Sequence, residues 1–420
     1  MRTRWSLHPE IEAGLGSLPP LPFEAAEIGK DAIPAIREAM TRPAGIPDHV
    51  RHHELVVDRG PAVPSLRLHV YAPRDPVAQP RPAVLWIHGG GYIVGSAKDE
   101  ARRVAPWVRA GYVVVAPDYR LAPEDPFPAG LRDCLDGLNE TLLRSAELGV
   151  DPGRIVVAGG SAGGGLAAAL AVRCRDLGIG AIGHLVLIAP MVDDRTEPPA
   201  GVRLAVWAGA ANRLGWDSYL PDGGAAELPE SYAAVARVTD FSGLPPTTVL
   251  VGTADMFCVE SVELASSLLR SGVPVDLHVY AGLPHGFDSL VPDSSPARVL
   301  ERDLFESLDR AASFRDVPLN GCLINGGCPL CRGVGDVGCR LPRISPWPCL
   351  RGFWLPEEPL EQSGELLAFG GGERREELAL LLVEDLHGCR LGAAAGLGGV
   401  DEKRAPVVRV ALPGRVSLLF

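Results

Sequence analysis

The chain has 420 residues, of which 46% are hydrophobic and 22% are charged, and this composition excludes an intrinsically disordered protein. The net charge of −12 argues against a nucleic-acid-binding protein, because neutralising phosphates requires a basic face. No apolar run approaches the ~18 residues of a membrane-spanning helix, and no apolar segment follows Arg2 and Arg4. We therefore expect a cytoplasmic protein that contacts neither membrane nor nucleic acid.

Residues 1–50 carry short helical patterns broken by prolines, the clearest at 9–15 and 32–40. From about residue 54 onward, short β-branched runs alternate with longer helical patterns. Strands are predicted at 67–71, 83–87, 112–116, 154–158, 184–188, 247–251 and 276–280. Helices are predicted at about 99–110, 129–148, 162–177, 259–271 and 297–313. Several strands are almost entirely apolar, as in a sheet buried on both faces, so the pattern predicts a mostly parallel, doubly wound α/β fold.

Two segments depart from this alternation. Residues 191–240 contain Trp207, Trp216 and Tyr219 among prolines and glycines, and we interpret them as an insertion that folds over one end of the sheet. Residues 316–420 hold six of the nine cysteines in Gly-rich sequence. The predicted organisation is an N-terminal segment 1–50, an α/β domain 51–315 with the insertion 191–240, and a tail 316–420.

The tail allows three interpretations. The spacing of Cys328 and Cys331 suggests a zinc module, but the neighbouring cysteines do not supply a second C-x-x-C pair. A second folded domain is the next alternative, although the segment lacks a sustained apolar period. We favour the third, in which GC-rich DNA read in a shifted frame produced a poorly ordered or non-native tail.

The strongest chemical signal is the pentapeptide G-x-S-x-G at 159–163, which lies between a predicted strand and an alanine-rich helix. In such a strand–turn–helix context, the flanking glycines permit a sharp turn that exposes the hydroxyl of Ser161. The N–H groups of the following helix then point toward a developing oxyanion. The alternative is a Gly-rich turn with an incidental serine.

A second signal is His88 followed by Gly89, Gly90 and Gly91, directly after a predicted strand. Consecutive glycines leave backbone N–H groups uncovered, which suits an oxyanion hole. A phosphate-binding turn is the alternative, but neither G-K-[ST] nor G-x-G-x-x-G is present there. We expect His88 to anchor the loop rather than to act as a base.

A nucleophilic serine needs a base and an orienting carboxylate, which in this fold follow it in the order acid and then histidine. Asp255 and His285 each follow a predicted strand and stand in that order. Taken separately, Asp255 fits a helix N-cap and His285 a surface turn. Together with Ser161 they fit a catalytic triad, in which Asp255 orients His285 and His285 accepts the serine proton.

The chain resembles the hormone-sensitive-lipase family of α/β-hydrolase esterases over about residues 7–314. The resemblance rests on H-G-G-G at 88–91, Y-R-L-A-P-E at 119–124, P-F-P-A at 126–129, S-A-G-G at 161–164 and S-G-L-P-P at 242–246. It implies an α/β-hydrolase fold with a helical cap made of residues 1–50 and 191–240. It also implies Ser161, Asp255 and His285 as the triad, and an oxyanion hole from Gly90, Gly91 and Ala162, with Gly89 in the same loop.

The expected activity is that of a serine carboxylesterase acting on short- to medium-chain acyl esters, with a small-molecule ester as its partner and no metal or other cofactor. An amidase or deacetylase with the same triad is an alternative, since the acyl-enzyme mechanism serves amides too. A catalytically silent receptor on the same fold is another, but such a receptor can lose the triad histidine and His285 is present. Family members are often dimers, so a homodimer is compatible with the sequence, which does not fix the oligomeric state.

The sequence departs from the family pattern at two places. Gly160 stands where the family has an aspartate that helps to hold the nucleophile turn. The usual D-P-L-R-D-E is D-M-F-C-V-E at 255–260, which matches only at its first and last residues. Neither change removes a member of the triad, so we expect activity to be retained, with a cost in rate or stability.

Overall fold

The computed structural model describes residues 6–23, 27–41, 45–75, 79–220 and 228–313. The tail 316–420, with its Cys328 and Cys331, lies outside the described residues. Within the described ranges, no helix is both long and apolar enough to cross a bilayer.

Eight strands of the described chain form one sheet, in the order β1-β2-β4-β3-β5-β6-β7-β8. Strand β2 is antiparallel to β1 and β4, whereas the pairs from β4 to β8 are all parallel. The predicted mostly parallel, doubly wound sheet is confirmed. The strands are β1 (Val50–Val57), β2 (Leu66–Pro73), β3 (Arg81–Ile87), β4 (Val113–Pro117), β5 (Val150–Gly160), β6 (His184–Ile188), β7 (Thr247–Ala254) and β8 (Val275–Pro284).

Helices cover both faces of this sheet. They are α1 (Pro9–Gly16), α2 (Ile33–Met40), α3 (Ala101–Arg109), α4 (Ala129–Leu143), α5 (Ser145–Leu148), α6 (Ala162–Asp176), α7 (Gly209–Tyr219), α8 (Cys258–Arg270), α9 (Phe287–Leu290) and α10 (Ser295–Ser313). The single helix predicted at 129–148 is in fact two, because Arg144 leaves the helical conformation and separates α4 from α5.

The core is divided between the two faces by the alternation of side chains along each strand. In β3, Leu85 and Ile87 join the cluster formed with α2, α4, α6 and α8. Their neighbours Val84 and Trp86 join the cluster formed with α1, α3 and α10. Each central strand is therefore buried on both sides, which explains its nearly continuous apolar sequence.

Strand β1 was not predicted as a strand. It forms the antiparallel edge of the sheet, and its middle residues are partly or fully exposed. The segment therefore contains the polar residues R-H-H-E instead of an apolar run. An edge strand needs one buried face at most, so its hydrophobic signal is weak.

The parallel strands place the functional candidates together. Strands β5, β7 and β8 end immediately before Ser161, Asp255 and His285, respectively. Because these strands run in the same direction, their carboxyl ends lie at one edge of the sheet. Open α/β sheets bind their ligands at this edge.

Candidate active site

The turn between β5 and α6 holds Ser161 in an unusual backbone conformation. Its φ is 57° and its ψ is −125°, which an L residue rarely adopts. The turn is tight enough that a Cβ on Gly159 would lie 2.2 Å from the carbonyl oxygen of Gly163. A Cβ on Gly163 would lie 2.1 Å from the carbonyl oxygen of Ile87. Both glycines of the pentapeptide are therefore required by close backbone approach.

Gly160 differs from these two glycines. A Cβ at this position would meet only the ring of Trp86 at 3.6 Å and the carbonyl oxygen of Ile188 at 3.8 Å, which are ordinary contacts. Its φ is not positive. The residue that replaces the family aspartate is thus not required to be glycine by the local geometry.

Three side chains distant in sequence meet at this edge in one hydrogen-bonded chain. The Oγ of Ser161 lies 3.0 Å from Nε2 of His285, and Nδ1 of His285 lies 2.9 Å from Oδ2 of Asp255. Asp255 is 1% exposed, and the His285 side chain is 12% exposed. The serine hydroxyl is thus within proton-transfer distance of an imidazole whose other nitrogen faces a buried carboxylate.

The second oxygen of the Asp255 carboxylate is also bound. Oδ1 accepts a hydrogen bond of 2.9 Å from the backbone N–H of Phe257. The Phe257 ring packs edge-on against the His285 ring, with ring centroids 5.2 Å apart. The acid is therefore fixed by the first turn after β7, and the same turn supplies an apolar wall for the imidazole.

The charges around His285 favour its protonated form. Burial lowers the pKa of His285, but the charge and hydrogen bond of Asp255, together with the charge of Asp288, raise it above the ordinary value of 6.5. Asp288 is held by an ion pair with Arg103 on α3, and Arg103 also donates a 2.9 Å hydrogen bond to Ser289. The surroundings of His285 therefore stabilise an imidazolium.

The glycine loop after β3 lies beside the nucleophile turn. A Cβ on Gly89 would lie 3.2 Å from the Cβ of Ser161. Gly90 and Gly91 have φ values of 119° and 58°, which favour glycine. Neither N–H donates a backbone hydrogen bond within the described loops. The N–H of Ala162, in the first turn of α6, has no intrahelical acceptor either. The loop and the start of α6 thus contain three N–H groups without a backbone acceptor among the described residues.

His88 lies under this loop and does not reach the serine. Its Nδ1 lies 2.8 Å from the carbonyl oxygen of Gly89. Its ring stacks on Tyr119, with centroids 4.3 Å apart, and the Tyr119 hydroxyl donates to the carbonyl oxygen of His88. This arrangement agrees with the anchoring role expected for His88. Tyr119, the first residue of the Y-R-L-A-P-E motif, therefore contributes to holding His88 in place.

The insertion contributes an aromatic side chain directly above the glycine loop. A Cβ on Gly91 would lie 2.2 Å from Cη2 of Trp207, so the indole ring contacts this glycine. Phe23 packs against Trp207 with centroids 4.9 Å apart, and His285 lies 6.4 Å from the same ring. The sequence marked Trp207 only as part of an insertion, because contacts between remote segments leave no local pattern.

Glu260, the last residue of the 255–260 motif, connects α8 to the start of the insertion. It is 3% exposed and accepts hydrogen bonds from the N–H of Val192 and Asp193 and from the hydroxyl of Thr196. Burial outweighs these bonds and raises the pKa of Glu260 to about 8. The match of this residue to the family motif therefore has a structural explanation outside the reacting groups.

Helix α1 supports the segment that carries His285. The N–H of His8 donates to the carbonyl oxygen of Gly282 at 2.9 Å. Glu10 accepts hydrogen bonds from the N–H of Ser295 at 2.8 Å and from the Ser295 hydroxyl. The loop between β8 and α10 is thus held at both ends by residues from the beginning of the chain.

Known proteins share this architecture. A family model described as the α/β hydrolase fold matches residues 84–289. Esterase LipI of Mycobacterium tuberculosis is 33% identical over 268 residues, which cover 61% of this chain and 82% of that protein. Carboxylesterase NlhH of the same organism is 33% identical over 283 residues, covering 64% of this chain and 85% of that protein.

Among solved structures, a bacterial heroin esterase superposes with a TM-score of 0.66 at 31% identity, covering 73% of this chain and 98% of that one. The residues that the family model matches include Ser161, Asp255 and His285, and the relatives are named as esterases. The chain therefore belongs to the hormone-sensitive-lipase-like family of α/β-hydrolase-fold esterases and is a carboxylic ester hydrolase.

Proposed function

We propose that the protein is a serine carboxylesterase that hydrolyses short- to medium-chain acyl esters through an acyl-enzyme formed on Ser161. The observation that carries the proposal is the unbroken hydrogen-bonded chain from the Ser161 hydroxyl through His285 to Asp255. The adjacent loop supports it, because Gly89 lies against Ser161 and the N–H groups of Gly90 and Gly91 donate no backbone hydrogen bond within the described loops. We assign these two N–H groups and that of Ala162 as the donors to a substrate oxygen.

In the acylation step, Ser161 Oγ attacks the ester carbonyl carbon while His285 Nε2 accepts the hydroxyl proton. The carbonyl oxygen becomes negatively charged and accepts hydrogen bonds from the loop and from the start of α6. Asp255 keeps the proton of the neutral imidazole on Nδ1 and stabilises the imidazolium that forms. His285 then donates its Nε2 proton to the leaving alcohol oxygen, and the acyl group stays on Ser161.

Deacylation repeats the sequence with water as the nucleophile. His285 Nε2 accepts a proton from water as the water oxygen attacks the acyl carbon. The same N–H donors stabilise the second oxyanion. Collapse of that intermediate breaks the bond to Ser161 Oγ, which takes the proton back from His285, and the carboxylic acid leaves. Ester and water are consumed, alcohol and carboxylic acid are released, and Ser161 and His285 return to their starting protonation states.

The preference for short to medium acyl chains follows from the aromatic side chains over the site. We assign residues 1–50 and the insertion 191–240 to a cap over the edge of the sheet, with Phe23 and Trp207 as its contribution beside Gly91. A bulky pair so close to the N–H donors restricts the space for a substrate. It leaves room for a small acyl group more readily than for a long chain.

The experiment measures hydrolysis of p-nitrophenyl acetate, butyrate, hexanoate and decanoate alongside the matching p-nitroanilides. We expect the highest kcat/KM with the shorter esters and far slower turnover of the anilides. Faster turnover of the anilides would instead support the amidase alternative. A protein that binds these compounds without turnover would support the receptor alternative.

The nucleophile is tested with Ser161→Ala, which should abolish turnover and the burst of p-nitrophenol. The matched control is Ser65→Ala, an exposed serine in the loop before β2, which should behave as the wild type. Retention of wild-type turnover by Ser161→Ala would overturn the proposal.

A further inference from the structure

Arginine 37 on α2 makes four hydrogen bonds to two segments that are far away in sequence. Its Nε donates to the carbonyl oxygen of Ile93 at 2.7 Å, and Nη2 donates to the carbonyl oxygen of Ala122 at 2.9 Å. Nη1 and Nη2 each donate to one oxygen of Glu124 at 2.8 Å. A bidentate contact to a carboxylate combined with two carbonyls uses most of the planar donor fork of an arginine.

Ile93 belongs to the glycine loop itself. The carbonyl oxygen of Gly90 accepts hydrogen bonds of 3.0 Å from the N–H of Ile93 and from the N–H of Val94. Gly90 and Ile93 are therefore opposite ends of one tight turn, with Gly91 inside it. A displacement of Ile93 would therefore disturb the turn that contains Gly90 and Gly91, the two glycines assigned to the oxyanion hole.

The other acceptors come from the Y-R-L-A-P-E motif. The N–H of Ala122 donates to the carbonyl oxygen of Tyr92 at 3.0 Å, so this motif is bonded directly to the same turn. The hydrogen bonds from Arg37 lower the pKa of the Glu124 carboxyl despite some burial, which favours its charged form. Arg37 thus holds the turn and the motif together from the outside.

We propose that Arg37 is a positioning residue for the oxyanion hole: through its bonds to Ile93, Ala122 and Glu124 it fixes the orientation of the Gly90 and Gly91 N–H groups. This inference rests on the proposed function, because it assumes that those N–H groups bind the oxyanion. Donors that are already oriented need no rearrangement as charge develops, so loosening them lowers transition-state stabilisation more than substrate affinity.

The test is Arg37→Met, which keeps the length and apolar stem of the side chain and removes all four hydrogen bonds. Misplaced catalytic groups cost up to about 100-fold, so we expect kcat/KM for p-nitrophenyl butyrate to fall about 10- to 100-fold. The loss should appear in kcat, with KM nearly unchanged. Arg37→Lys, with a single compact charge, should lie between Arg37→Met and the wild type.

A trifluoromethyl ketone provides the readout that a purely structural role would not move. It forms a tetrahedral adduct on the serine whose oxyanion occupies the proposed hole, so its Ki should rise by the same factor as kcat/KM falls across the variants. The matched control is Arg144→Met, which removes the ion pair between Arg144 and Glu140 at the end of α4, at 2.8 Å, without any bond to the glycine loop. Its kcat/KM and Ki should equal those of the wild type.

Three outcomes overturn the inference: wild-type kcat/KM in Arg37→Met, an unchanged Ki despite lost activity, or an equal loss in Arg144→Met. If Arg37→Met does not fold, Glu124→Gln decides the question, because it keeps both carbonyl acceptors and removes only the charge. It should then show a smaller loss of the same kind, and wild-type values would refute the role. Loss of activity in Ser161→Ala with a normal Arg37→Met refutes this inference alone, whereas an active Ser161→Ala refutes the proposed function.

Discussion

Substitution of Gly160 tests whether every glycine of the nucleophile turn is required by close backbone contacts. Gly160 is the last residue of β5 and pairs with Ile188 of β6. An added Cβ would meet Trp86 at 3.6 Å and the carbonyl oxygen of Ile188 at 3.8 Å, so alanine fits without movement. Alanine also removes conformational freedom from the unfolded chain, which stabilises a protein by about 0.4–1 kcal/mol at a compatible site.

For a domain of this size, that gain corresponds to a rise in Tm of about 1–3 °C. Gly160→Ala should therefore melt slightly above the wild type and keep its kcat, because the new methyl group faces Trp86 and Ile188. Gly159→Ala is the contrasting variant, since its Cβ would lie 2.2 Å from a backbone oxygen that cannot rotate away. We expect it to lose about 1–3 kcal/mol or more, together with activity.

Thermal melts and p-nitrophenyl butyrate assays on the two variants decide the matter. The reasoning is refuted if Gly160→Ala melts below the wild type, or if Gly159→Ala melts as high as Gly160→Ala. Either result would mean that Gly160 has less room for a methyl group, or Gly159 more room, than the structure indicates.

Three further predictions concern the titratable groups. Asp255→Asn should lower kcat by about 10⁴-fold. The amide oxygen stays with the N–H of Phe257, so the NH₂ faces Nδ1 of His285, cannot accept a hydrogen bond from it and favours the wrong tautomer. A loss of less than tenfold in stopped-flow acylation would contradict this. The pKa of His285 is raised and His285 must be neutral to act as a base, so kcat/KM should rise with pH through a midpoint above 6.5. Asp288→Asn should move that midpoint down, and an unchanged pH profile would count against it. The pKa of Glu260 is raised to about 8 in the folded protein, from an ordinary value of 4.5. Between these two pH values the unfolded chain has lost a proton that the folded protein keeps. The free energy of unfolding should therefore fall as pH rises through this range. Glu260→Gln should make this decline smaller, as measured by urea denaturation of both proteins at several pH values. If the unfolding free energies of the two proteins vary identically with pH, the raised pKa of Glu260 is refuted.

Much of the fold could be predicted from the sequence where local pattern and burial coincide. His184–Ile188 was predicted to the residue, because a strand buried on both faces is almost entirely apolar, as the run after His184 is. Strand β1 escaped prediction, since an edge strand with exposed polar residues has no such run. The break at Arg144 was missed as well, because the helical periodicity continues across it.

The site divides in the same way. Ser161, Asp255 and His285 follow strand ends in the order of the fold, so motif and topology together predicted that they meet. Arg37 and Trp207 act on the glycine loop from remote parts of the chain, in segments without a motif. Their contacts depend on how those segments pack, and a single sequence carries no signal for that.

The hydrogen bonds between α1 and the loop that carries His285 also constrain how the protein is made. Glu10 and Ser295 are separated by 285 residues, so α1 leaves the ribosome long before its partner exists. At about 5–20 residues per second, the delay is roughly 15–60 s. Strands β3 to β6 and the turn that carries Ser161 are synthesised during this time. The loop that carries His285 is held in place only when α1 contacts the start of α10. Nascent chains should therefore gain esterase activity in a single late step.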